Sequence, residues 1–433
     1  MHSSHLTISP PSAPLSGEVF IPGSKSYTNR ALILASLADG KSSLRSFSES
    51  DDSVVLCEAL KKLGIRIEKQ GAELYVCGSG GNFVPYKGEI DVGPAGTSMR
   101  FLAALCAFVP GCELVLKGSE RMHKRPIKEL TEALKTLGAD IEYLGSEGCP
   151  PLLIRGVKAP KKAQVRMNGS VSSQFFTALM LTASLFGELA IDVKGEQISK
   201  SYIDMTLSSL KAFGLEGRNE SYRRYILSGS GALTPCNYQI EGDASGASYF
   251  WGLAAVSGGS IKVRNINPNS AQGDVRFPLL LKKMGCSAES GYEEGVGWIL
   301  LQGSERLKGI TADMSLMPDT AQTLAVIAAF ASSPSRLTGL STLRIKETDR
   351  LNALQVELKK MGITTEIGDD YIVIHPGQPG AASIATYEDH RMAMSFAVAA
   401  AKIHGIIIEE PNVVTKSFPT FWSKMKALGF SIV

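Results

Sequence analysis

A phrase of apolar and polar residues recurs six times along the chain and gives the first structural prediction. Each copy runs Leu or Met, Lys, any residue, a bulky apolar residue and Gly, and residues that alternate between apolar and polar follow it. Spacings of 74, 76, 71, 77 and 67 residues separate the six glycines, which indicates one repeated unit of about 70 residues. The glycines are Gly64, Gly138, Gly214, Gly285, Gly362 and Gly429.

The recurring phrase is typical of the end of a helix. Its Lys is favoured near the negative C-terminal end of a helix, and its Gly supplies the left-handed backbone that often ends one. The alternating residues that follow, such as 65–68 and 139–143, predict a strand after each helix. The sequence therefore predicts an α/β protein whose unit runs helix, strands, helix, strand. A second helix in each unit is predicted to begin near Ser26, Thr97, Ser173, Ser245, Thr320 and Asp389.

Length and composition suggest how the six units are grouped. A chain of 433 residues with 44% hydrophobic and 20% charged residues has enough apolar side chains for two substantial cores, which favours three units per domain. We expect the boundary at 241–243, between Gly214 and the fourth helix start. The longest apolar runs, such as 324–331, are too short to cross a bilayer, and residues 1–14 lack the apolar stretch of a secretory signal. We therefore expect a soluble protein with no membrane partner.

The spacing of the cysteines and the distribution of charge argue against a bound metal and against nucleic acid as a partner. The seven cysteines are scattered without paired or metal-type spacing, so we expect reduced thiols, a cytoplasmic location and no bound metal. The net charge of +3 is spread along the chain without a basic tail, which argues against nucleic acid as a partner. A small anion bound at a local site is the better prediction.

Small polar residues or glycine open the six helices predicted to begin near Ser26, Thr97, Ser173, Ser245, Thr320 and Asp389, and cations cluster near the same places. Exposed N–H groups and the helix dipole favour anions there, although ordinary helix caps and solvated surface charges would produce part of the same pattern. Carboxylates and a histidine interleave with cations at 344–350 and 388–391, where groups of tuned pKa can move protons. The residues alone indicate a two-domain enzyme that binds one or two anionic small molecules and performs acid/base chemistry. The clustered cations are Lys25, Arg30, Arg100, Arg121, Lys124, Arg125, Arg344, Lys346, Arg350, Arg391 and Lys416.

Seven segments, in order from about residue 16 to the C-terminus, resemble the 5-enolpyruvylshikimate-3-phosphate synthase family. The resemblance implies a two-domain inside-out α/β barrel of six β-α-β-α-β-β units, three in each domain. It also implies domains formed by residues 23–241 and by 1–22 with 242–433, with hinge crossings near 22 and 242 and closure on substrate. The segments are Pro22–Arg30, Ala95–Arg100, Arg125–Ile127, Gly169–Phe175, Glu241–Phe250, Lys346–Leu351 and Asp389–Met394.

The reaction that this resemblance implies transfers the enolpyruvyl group of phosphoenolpyruvate to the 5-hydroxyl of shikimate 3-phosphate and releases phosphate, by addition and elimination. This is a step of aromatic amino acid biosynthesis, and the family is the target of glyphosate. No cofactor is implied, and we expect a monomer whose partners are the two substrates. The residues carried over for shikimate 3-phosphate are Lys25, Ser26, Arg30, Ser172, Ser173, Gln174, Ser199, Tyr202, Asp319 and Lys346. Those carried over for phosphoenolpyruvate are Lys25, Gly96, Arg125, Gln174, Arg350, Arg391 and Lys416.

Five of these positions carry hypothetical catalytic roles. Asp319 is the base toward the 5-hydroxyl, Glu347 exchanges the proton at the methylene carbon, and Lys25 stabilises the departing phosphate. His390 and Lys416 assist. Two multiply charged anions repel each other, so a site for both requires several cations.

Two alternatives to this reaction remain open at the level of sequence. The related enolpyruvyl transferase that acts on UDP-N-acetylglucosamine uses a loop cysteine, and Cys112 lies between the second helix start and Arg125. A non-catalytic anion-binding scaffold is the other, since repeats often serve recognition. The chain also departs from the family, which often has Asn, Pro and Asn where this chain has Pro94, Phe101 and Thr342.

Overall fold

The computed structural model describes residues 4–228 and 233–433, which contain twelve α-helices and twenty-four strands. The helices are α1 (Lys25–Leu37), α2 (Asp51–Lys62), α3 (Gly96–Ala107), α4 (Lys128–Thr136), α5 (Ser173–Leu181), α6 (Lys200–Ala212), α7 (Ala244–Ser257), α8 (Phe277–Lys283), α9 (Ala321–Ala328), α10 (Arg350–Lys360), α11 (His390–Ala397) and α12 (Phe421–Ala427). The strands of the first half are β1 (His5–Ser9), β2 (Ser16–Phe20), β3 (Asp39–Arg45), β4 (Arg66–Gln70), β5 (Glu73–Ser79), β6 (Lys87–Asp91), β7 (Glu113–Lys117), β8 (Asp140–Tyr143), β9 (Leu152–Arg155), β10 (Lys162–Asn168), β11 (Glu188–Lys194), β12 (Gly217–Glu220), β13 (Arg224–Ser228) and β14 (Asn237–Gln239). Those of the second half are β15 (Ser260–Arg264), β16 (Ser287–Glu293), β17 (Val296–Gln302), β18 (Thr311–Asp313), β19 (Ser335–Thr338), β20 (Thr365–Ile367), β21 (Ile372–Ile374), β22 (Ser383–Ile384), β23 (Ile406–Glu409) and β24 (Ser431–Ile432).

The predicted helix starts are confirmed. All six helices, α1, α3, α5, α7, α9 and α11, begin within one residue of the predicted position, and a short 3-10 turn (Pro318–Thr320) leads into α9. Side chains cap several of these starts: Ser24 accepts a hydrogen bond from the backbone N–H of Tyr27, and Asp243 accepts one from that of Gly246. Such caps satisfy N–H groups that have no partner within the helix.

The predicted helix ends are confirmed as well. All six repeat glycines have positive φ, from 83° at Gly214 to 110° at Gly285. In the first copy the N–H of Ile65 donates to the carbonyl of Leu60 at 3.1 Å, and the N–H of Gly64 donates to that of Lys61 at 3.0 Å. The same pair of bonds closes the other five helices, because a left-handed glycine turns the chain back over the last turn.

The strands form six four-stranded sheets that share one topology. In the sheet β6-β7-β9-β8, β6 is parallel to β7, β7 is antiparallel to β9, and β9 is antiparallel to β8. With α3 between β6 and β7 and α4 between β7 and β8, this is the β-α-β-α-β-β unit. The implied fold class is therefore confirmed.

Three sheets are completed by strands from distant parts of the chain. β14 supplies the first strand of the first sheet, where Tyr238 pairs with Leu44. β2 supplies the first strand of the fourth sheet, and β1 is the third strand of the sixth sheet, between β23 and β24. The chain accordingly forms two compact units, which we call unit 1 (Met1–Pro22 with Glu241–Val433) and unit 2 (Gly23–Ile240).

Each unit has helices at its centre and sheets around them. In unit 2 every residue of α3 is buried, and in unit 1 every residue of α9 and α11 is buried. α7, which carries the buried Trp251 and Phe250, packs in unit 1 against α9. Because these helices are buried on every face, only their starts are left for polar chemistry. No helix in the described parts of the chain is long and apolar enough to cross a membrane.

Candidate functional site

A buried guanidinium, that of Arg350, joins three carboxylates in unit 1. Its side chain, at the start of α10, is only 1% exposed. Nε donates to Oδ2 of Asp389 at 2.7 Å and Nη2 to Oδ1 at 3.2 Å, while Nη1 contacts Asp319 Oδ1 at 3.2 Å and Nη2 contacts Glu347 Oε2 at 2.9 Å. Burial opposes the charge on Arg350, but Asp389, Glu347 and Asp319 outweigh it and raise its pKa. Four hydrogen bonds leave one of the five guanidinium N–H groups for a ligand.

Three further cations contact the same carboxylates. Arg391 Nη2 lies 3.1 Å from Asp319 Oδ2, Lys416 Nζ lies 2.8 Å from Glu347 Oε1, and Lys346 Nζ lies 3.8 Å from Asp319 Oδ1. Four cations and three carboxylates leave one net positive charge on this group, which suits an anion. We call the group the Arg350 network, formed by Asp319, Lys346, Glu347, Arg350, Asp389, Arg391 and Lys416.

The start of α11 connects this network to the backbone. Asp389 caps α11 by accepting a hydrogen bond from the N–H of Arg391 at 2.9 Å while it also binds the Arg350 guanidinium. His390 is buried, and its Nδ1 lies 3.8 Å from Asp389 Oδ1. The helix start thus places Arg391 next to the predicted base Asp319 and His390 next to Asp389.

Two groups of unit 1 that the sequence did not single out extend the network. The Tyr249 hydroxyl accepts a hydrogen bond from Arg391 Nη1 at 3.3 Å, and burial raises the pKa of Tyr249 to about 12. One turn earlier on α7, the Ser245 hydroxyl donates to the buried carboxyl of Asp274. Burial and the charge of Asp319 raise the pKa of Asp274 to about 7, although Ser245 and Arg391 act in the opposite direction.

In unit 2 the first predicted ligand is Lys25, at the start of α1. Its ammonium pairs with Asp52 Oδ2 at 2.9 Å, and the Lys25 and Asp52 side chains are 13% and 3% exposed. The second oxygen of Asp52 is buried without a hydrogen-bond partner in the described parts of the chain. Asp52 sits in α2, and its neighbour Ser53 donates to Asn29 of α1, so the two helix starts are connected.

Arg30 is buried between three helices. Its Nη1 donates to the Ser26 carbonyl at 2.8 Å, its Nη2 to the Tyr202 carbonyl at 3.1 Å and its Nε to Thr206 Oγ1 at 3.0 Å. Burial lowers its pKa to about 10, so it stays charged near neutral pH. Arg30 therefore connects α1 to α6 and supports the backbone around the predicted ligands Ser26 and Tyr202.

Arg125 and Gly96 lie against each other at the start of α3. A Cβ atom on Gly96 would lie 2.7 Å from Arg125 Nη1, so a larger residue at this position would displace the guanidinium. Arg125 is 7% exposed, and its Nε has no hydrogen-bond partner among the described residues. Arg100 Nη1 donates to the Gly96 carbonyl at 3.0 Å. In the described parts of the chain no carboxylate pairs with Arg125, which leaves its charge available for an anion.

The remaining predicted ligands lie at the starts of α5 and α6. Ser172 caps α5 by accepting a hydrogen bond from the N–H of Gln174 at 3.3 Å, and Ser173 is the first residue of that helix. Ser199 precedes α6 with a φ of 51°, a left-handed conformation that is uncommon for serine. Tyr202 follows in the first turn of α6, beneath the Arg30 guanidinium at 5.9 Å.

The structure thus sorts the predicted residues by unit. Asp319, Lys346, Glu347, Arg350, His390, Arg391 and Lys416 come together in unit 1. Unit 2 holds the others: Arg30 in the second turn of α1, and, at helix starts or in adjoining loops, Lys25, Ser26, Gly96, Arg125, Ser172, Ser173, Gln174, Ser199 and Tyr202. Cys112 is buried, its Sγ accepts a hydrogen bond from the Tyr86 N–H at 3.3 Å, and burial raises its pKa. The described residues contain no group of His, Cys, Asp and Glu that could bind a metal ion.

Comparisons with known proteins agree with this architecture. Residues 10–425 match the family model described as EPSP synthase (3-phosphoshikimate 1-carboxyvinyltransferase). The chain is 43% identical over 431 residues to the 3-phosphoshikimate 1-carboxyvinyltransferase of Cupriavidus taiwanensis, covering 97% of this chain and 98% of that protein. It is 42% identical over 421 residues to that of Vibrio campbellii, covering 96% and 97%. The solved EPSP synthase of Acinetobacter baumannii superposes over the full length of both chains with a TM-score of 0.82 and 27% identity. The chain therefore belongs to the EPSP synthase family.

Proposed function

We propose that the protein transfers the enolpyruvyl group of phosphoenolpyruvate to the 5-hydroxyl of shikimate 3-phosphate and releases inorganic phosphate. Membership of the EPSP synthase family supports this reaction, because relatives at 42% and 43% identity carry the name 3-phosphoshikimate 1-carboxyvinyltransferase. The two groups of residues, in unit 1 and unit 2, act on the same pair of substrates in this proposal.

One observation supports an anionic substrate most directly, namely the buried and unpaired charge of Arg125. A guanidinium that is 7% exposed and has no carboxylate neighbour within residues 4–228 and 233–433 has lost much of its hydration without compensation from that part of the chain. A phosphate or carboxylate supplies that compensation through paired hydrogen bonds. We assign this role to phosphoenolpyruvate, with Gly96 leaving space for the contact.

The other substrate contacts follow from the same reasoning. Lys25, Gln174, Arg350, Arg391 and Lys416 bind phosphoenolpyruvate with Gly96 and Arg125. The hydroxyls and backbone groups at the starts of α1, α5 and α6 suit the phosphate and ring hydroxyls of shikimate 3-phosphate. The proposed ligands of this substrate are Lys25, Ser26, Arg30, Ser172, Ser173, Gln174, Ser199, Tyr202, Asp319 and Lys346.

The Arg350 network supplies the proton transfers. Asp319, in contact with Arg350 and Arg391, removes the proton of the 5-hydroxyl as the oxygen forms its bond to C2 of phosphoenolpyruvate. Glu347 delivers a proton to C3, and the Lys416 ammonium at 2.8 Å can supply that proton to the carboxylate. In the elimination Glu347 removes a proton from C3 while the C2–O bond to phosphate breaks. Lys25 neutralises the departing phosphate, and His390 assists.

The experiment measures phosphate release with phosphoenolpyruvate and each of two acceptors, shikimate 3-phosphate and UDP-N-acetylglucosamine. We expect phosphate release when shikimate 3-phosphate is the acceptor and none when UDP-N-acetylglucosamine is. Release only with the nucleotide sugar would favour the reaction of the related enolpyruvyl transferase. Tight binding of both anions by calorimetry without release would favour a binding scaffold. Asp319→Ala should abolish turnover while the fold stays intact, and full activity of that variant would contradict the role of Asp319.

A matched pair of variants tests the supporting observation. Arg125→Met removes the buried charge, while Arg155→Met removes an exposed charge of the same unit that pairs with surface carboxylates. We expect the first variant to raise the KM for phosphoenolpyruvate at least 30-fold, since hydrogen bonds to charged groups contribute about 1.5–3 kcal/mol each. The second should stay within twofold of wild type. Equal KM values for the two variants would contradict the assignment of Arg125.

We also propose that the protein acts as a monomer in the cytoplasm. The seven cysteines, which are scattered without paired spacing, support this location. Light scattering coupled to size-exclusion chromatography should give the mass of one chain, 46.2 kDa. Localisation of a fluorescent fusion tests the compartment.

A further inference from the structure

One face of α10 contacts the loop before α11 at two places, two helical turns apart. Arg350, the first residue of α10, binds the carboxylate of Asp389. Glu357 lies seven residues later, which is nearly two full turns and therefore the same face. Its carboxylate contacts residues 385–387, immediately before Asp389. The helix thus contacts both the catalytic end of this loop and the chain that leads into it.

Glu357 is a fully buried carboxylate with each oxygen satisfied. Its Oε1 accepts a hydrogen bond from the Tyr387 hydroxyl at 2.6 Å, and its Oε2 accepts one from the Ala385 N–H at 3.2 Å. Lys360 Nζ lies 2.8 Å from Oε2 and is half exposed, so it neutralises the charge from the solvent side. Burial and the hydrogen bond to Glu357 raise the pKa of Tyr387, which keeps its hydroxyl protonated as a donor.

The loop that Glu357 contacts has an unfavourable backbone conformation. Tyr387 and Glu388 both have a φ of 55°, the left-handed region that side chains other than glycine seldom adopt. Two such residues in succession persist only where surrounding contacts fix them. The contacts to Tyr387 and Ala385 come from Glu357, and the next residue is Asp389, whose carboxylate caps α11 and binds Arg350.

We propose that Glu357 is a positioning residue for the enolpyruvyl transfer, which fixes residues 385–388 and so sets Asp389 and Arg391 in place against Arg350. The contacts run from Glu357 to Tyr387, along the backbone to Asp389, and from the α11 start to Arg391 and Asp319. Without them the loop relaxes toward ordinary φ values, and the α11 start shifts with it. This inference rests on the proposed role of Arg391 in binding phosphoenolpyruvate.

The test compares Glu357→Ala with Leu358→Ala, a buried core residue next to it on the same helix. Glu357→Ala should raise the KM for phosphoenolpyruvate at least tenfold and lower kcat, with the KM for shikimate 3-phosphate within threefold of wild type. Leu358→Ala should lower Tm by a similar or larger amount and leave the KM for phosphoenolpyruvate within twofold. Glu357→Gln keeps an oxygen that accepts from Tyr387 but turns its amide nitrogen toward the Ala385 N–H, so it should recover only part of the loss. Equal KM effects in the two alanine variants would overturn the proposal.

Amide hydrogen exchange supplies a measurement that does not depend on activity. Peptides covering 385–392 should exchange at least tenfold faster in Glu357→Ala, because the Arg391 N–H that donates to Asp389 loses its fixed partner. Leu358→Ala should leave this segment protected. Unchanged exchange in Glu357→Ala would refute the positioning role even if the protein turned out to catalyse another reaction. Faster exchange with no turnover of shikimate 3-phosphate by wild type would instead refute the proposed function alone.

Discussion

The buried carboxyl of Asp274 predicts how stability depends on pH. Asp274 accepts a hydrogen bond from Ser245 inside unit 1, and burial is the main reason that its pKa rises from 3.8 to about 7. A carboxyl whose pKa is higher in the folded than in the unfolded state binds its proton more tightly in the fold. Its contribution to stability is therefore complete below pH 4 and is lost as the pH rises through about 7.

The magnitude follows from the size of this shift. Each pKa unit corresponds to about 1.4 kcal/mol, and the rise from 3.8 to about 7 amounts to about 4 kcal/mol of destabilisation at pH 8. Asp274→Asn keeps the shape of the side chain and an oxygen that accepts from Ser245, but it has no proton to lose. The variant should therefore gain stability relative to wild type as the pH rises from 4 to 8.

The assay is urea unfolding followed by circular dichroism at pH 4, 5, 6, 7 and 8, for wild type and Asp274→Asn. Glu305→Gln, at an exposed position of the same unit, is the control for loss of one negative charge. We expect the difference in the free energy of unfolding between Asp274→Asn and wild type to grow by about 4 kcal/mol across this range. The control difference should change by less than about 0.5 kcal/mol.

A difference that stays constant with pH would refute the reasoning. It would mean that the hydrogen bond from Ser245 and the charge of Arg391 offset burial completely, so that Asp274 ionises as readily in the fold as in water. A difference that grows in the opposite direction would mean that these groups stabilise the carboxylate more than water does.

Three further predictions follow from single contacts. Gly96→Ala should raise the KM for phosphoenolpyruvate about tenfold, since its Cβ would displace the Arg125 guanidinium and cost about one charge-assisted hydrogen bond; an unchanged KM would contradict the proposed contact. Gly138→Ala should cost about 1–2 kcal/mol of stability from its φ of 94° alone, because no atom lies within 4 Å of the new Cβ, and Gly380→Ala, equally open but without positive φ, should cost almost nothing in the same denaturation assay. Asp389→Ala should destabilise unit 1 by about 3–5 kcal/mol in urea unfolding, because it leaves a buried guanidinium short of one partner and uncaps α11; a loss below about 1 kcal/mol would count against that account.

The sequence predicts the units of this fold because local residues mark both helices of each unit, one by its start and the other by its end. The six glycines end helices at positive φ in the structure, and one residue type serves the cap in every copy. The strands that complete the sheets could not be predicted in this way, since β1 pairs with β23 and β14 pairs with β3 across long stretches of chain. Such pairings depend on tertiary geometry, which local periodicity does not contain.

The candidate site likewise contains residues that the sequence predicted and residues that it did not. Motifs at helix starts pointed to Asp319, Glu347 and Arg391, and the structure brings these side chains into one network. Tyr249 lies within an apolar helix, where a single hydroxyl gives no signal of its own. Asp52 lies in the first turn of α2 and belongs to no recognised motif, so only the 2.9 Å contact with Lys25 connects it to the candidate site.

The strands that complete unit 1 from its N-terminal side have a consequence for synthesis on the ribosome. His5 of β1 pairs with Glu409 of β23, so the first strand is made about 400 residues before its neighbour. At about 5–20 residues per second, β1 remains without that neighbour for about 20–80 s while unit 2 can already fold. β1 is only five residues long and carries His, Thr and Ser, features that disfavour pairing between nascent chains during the delay.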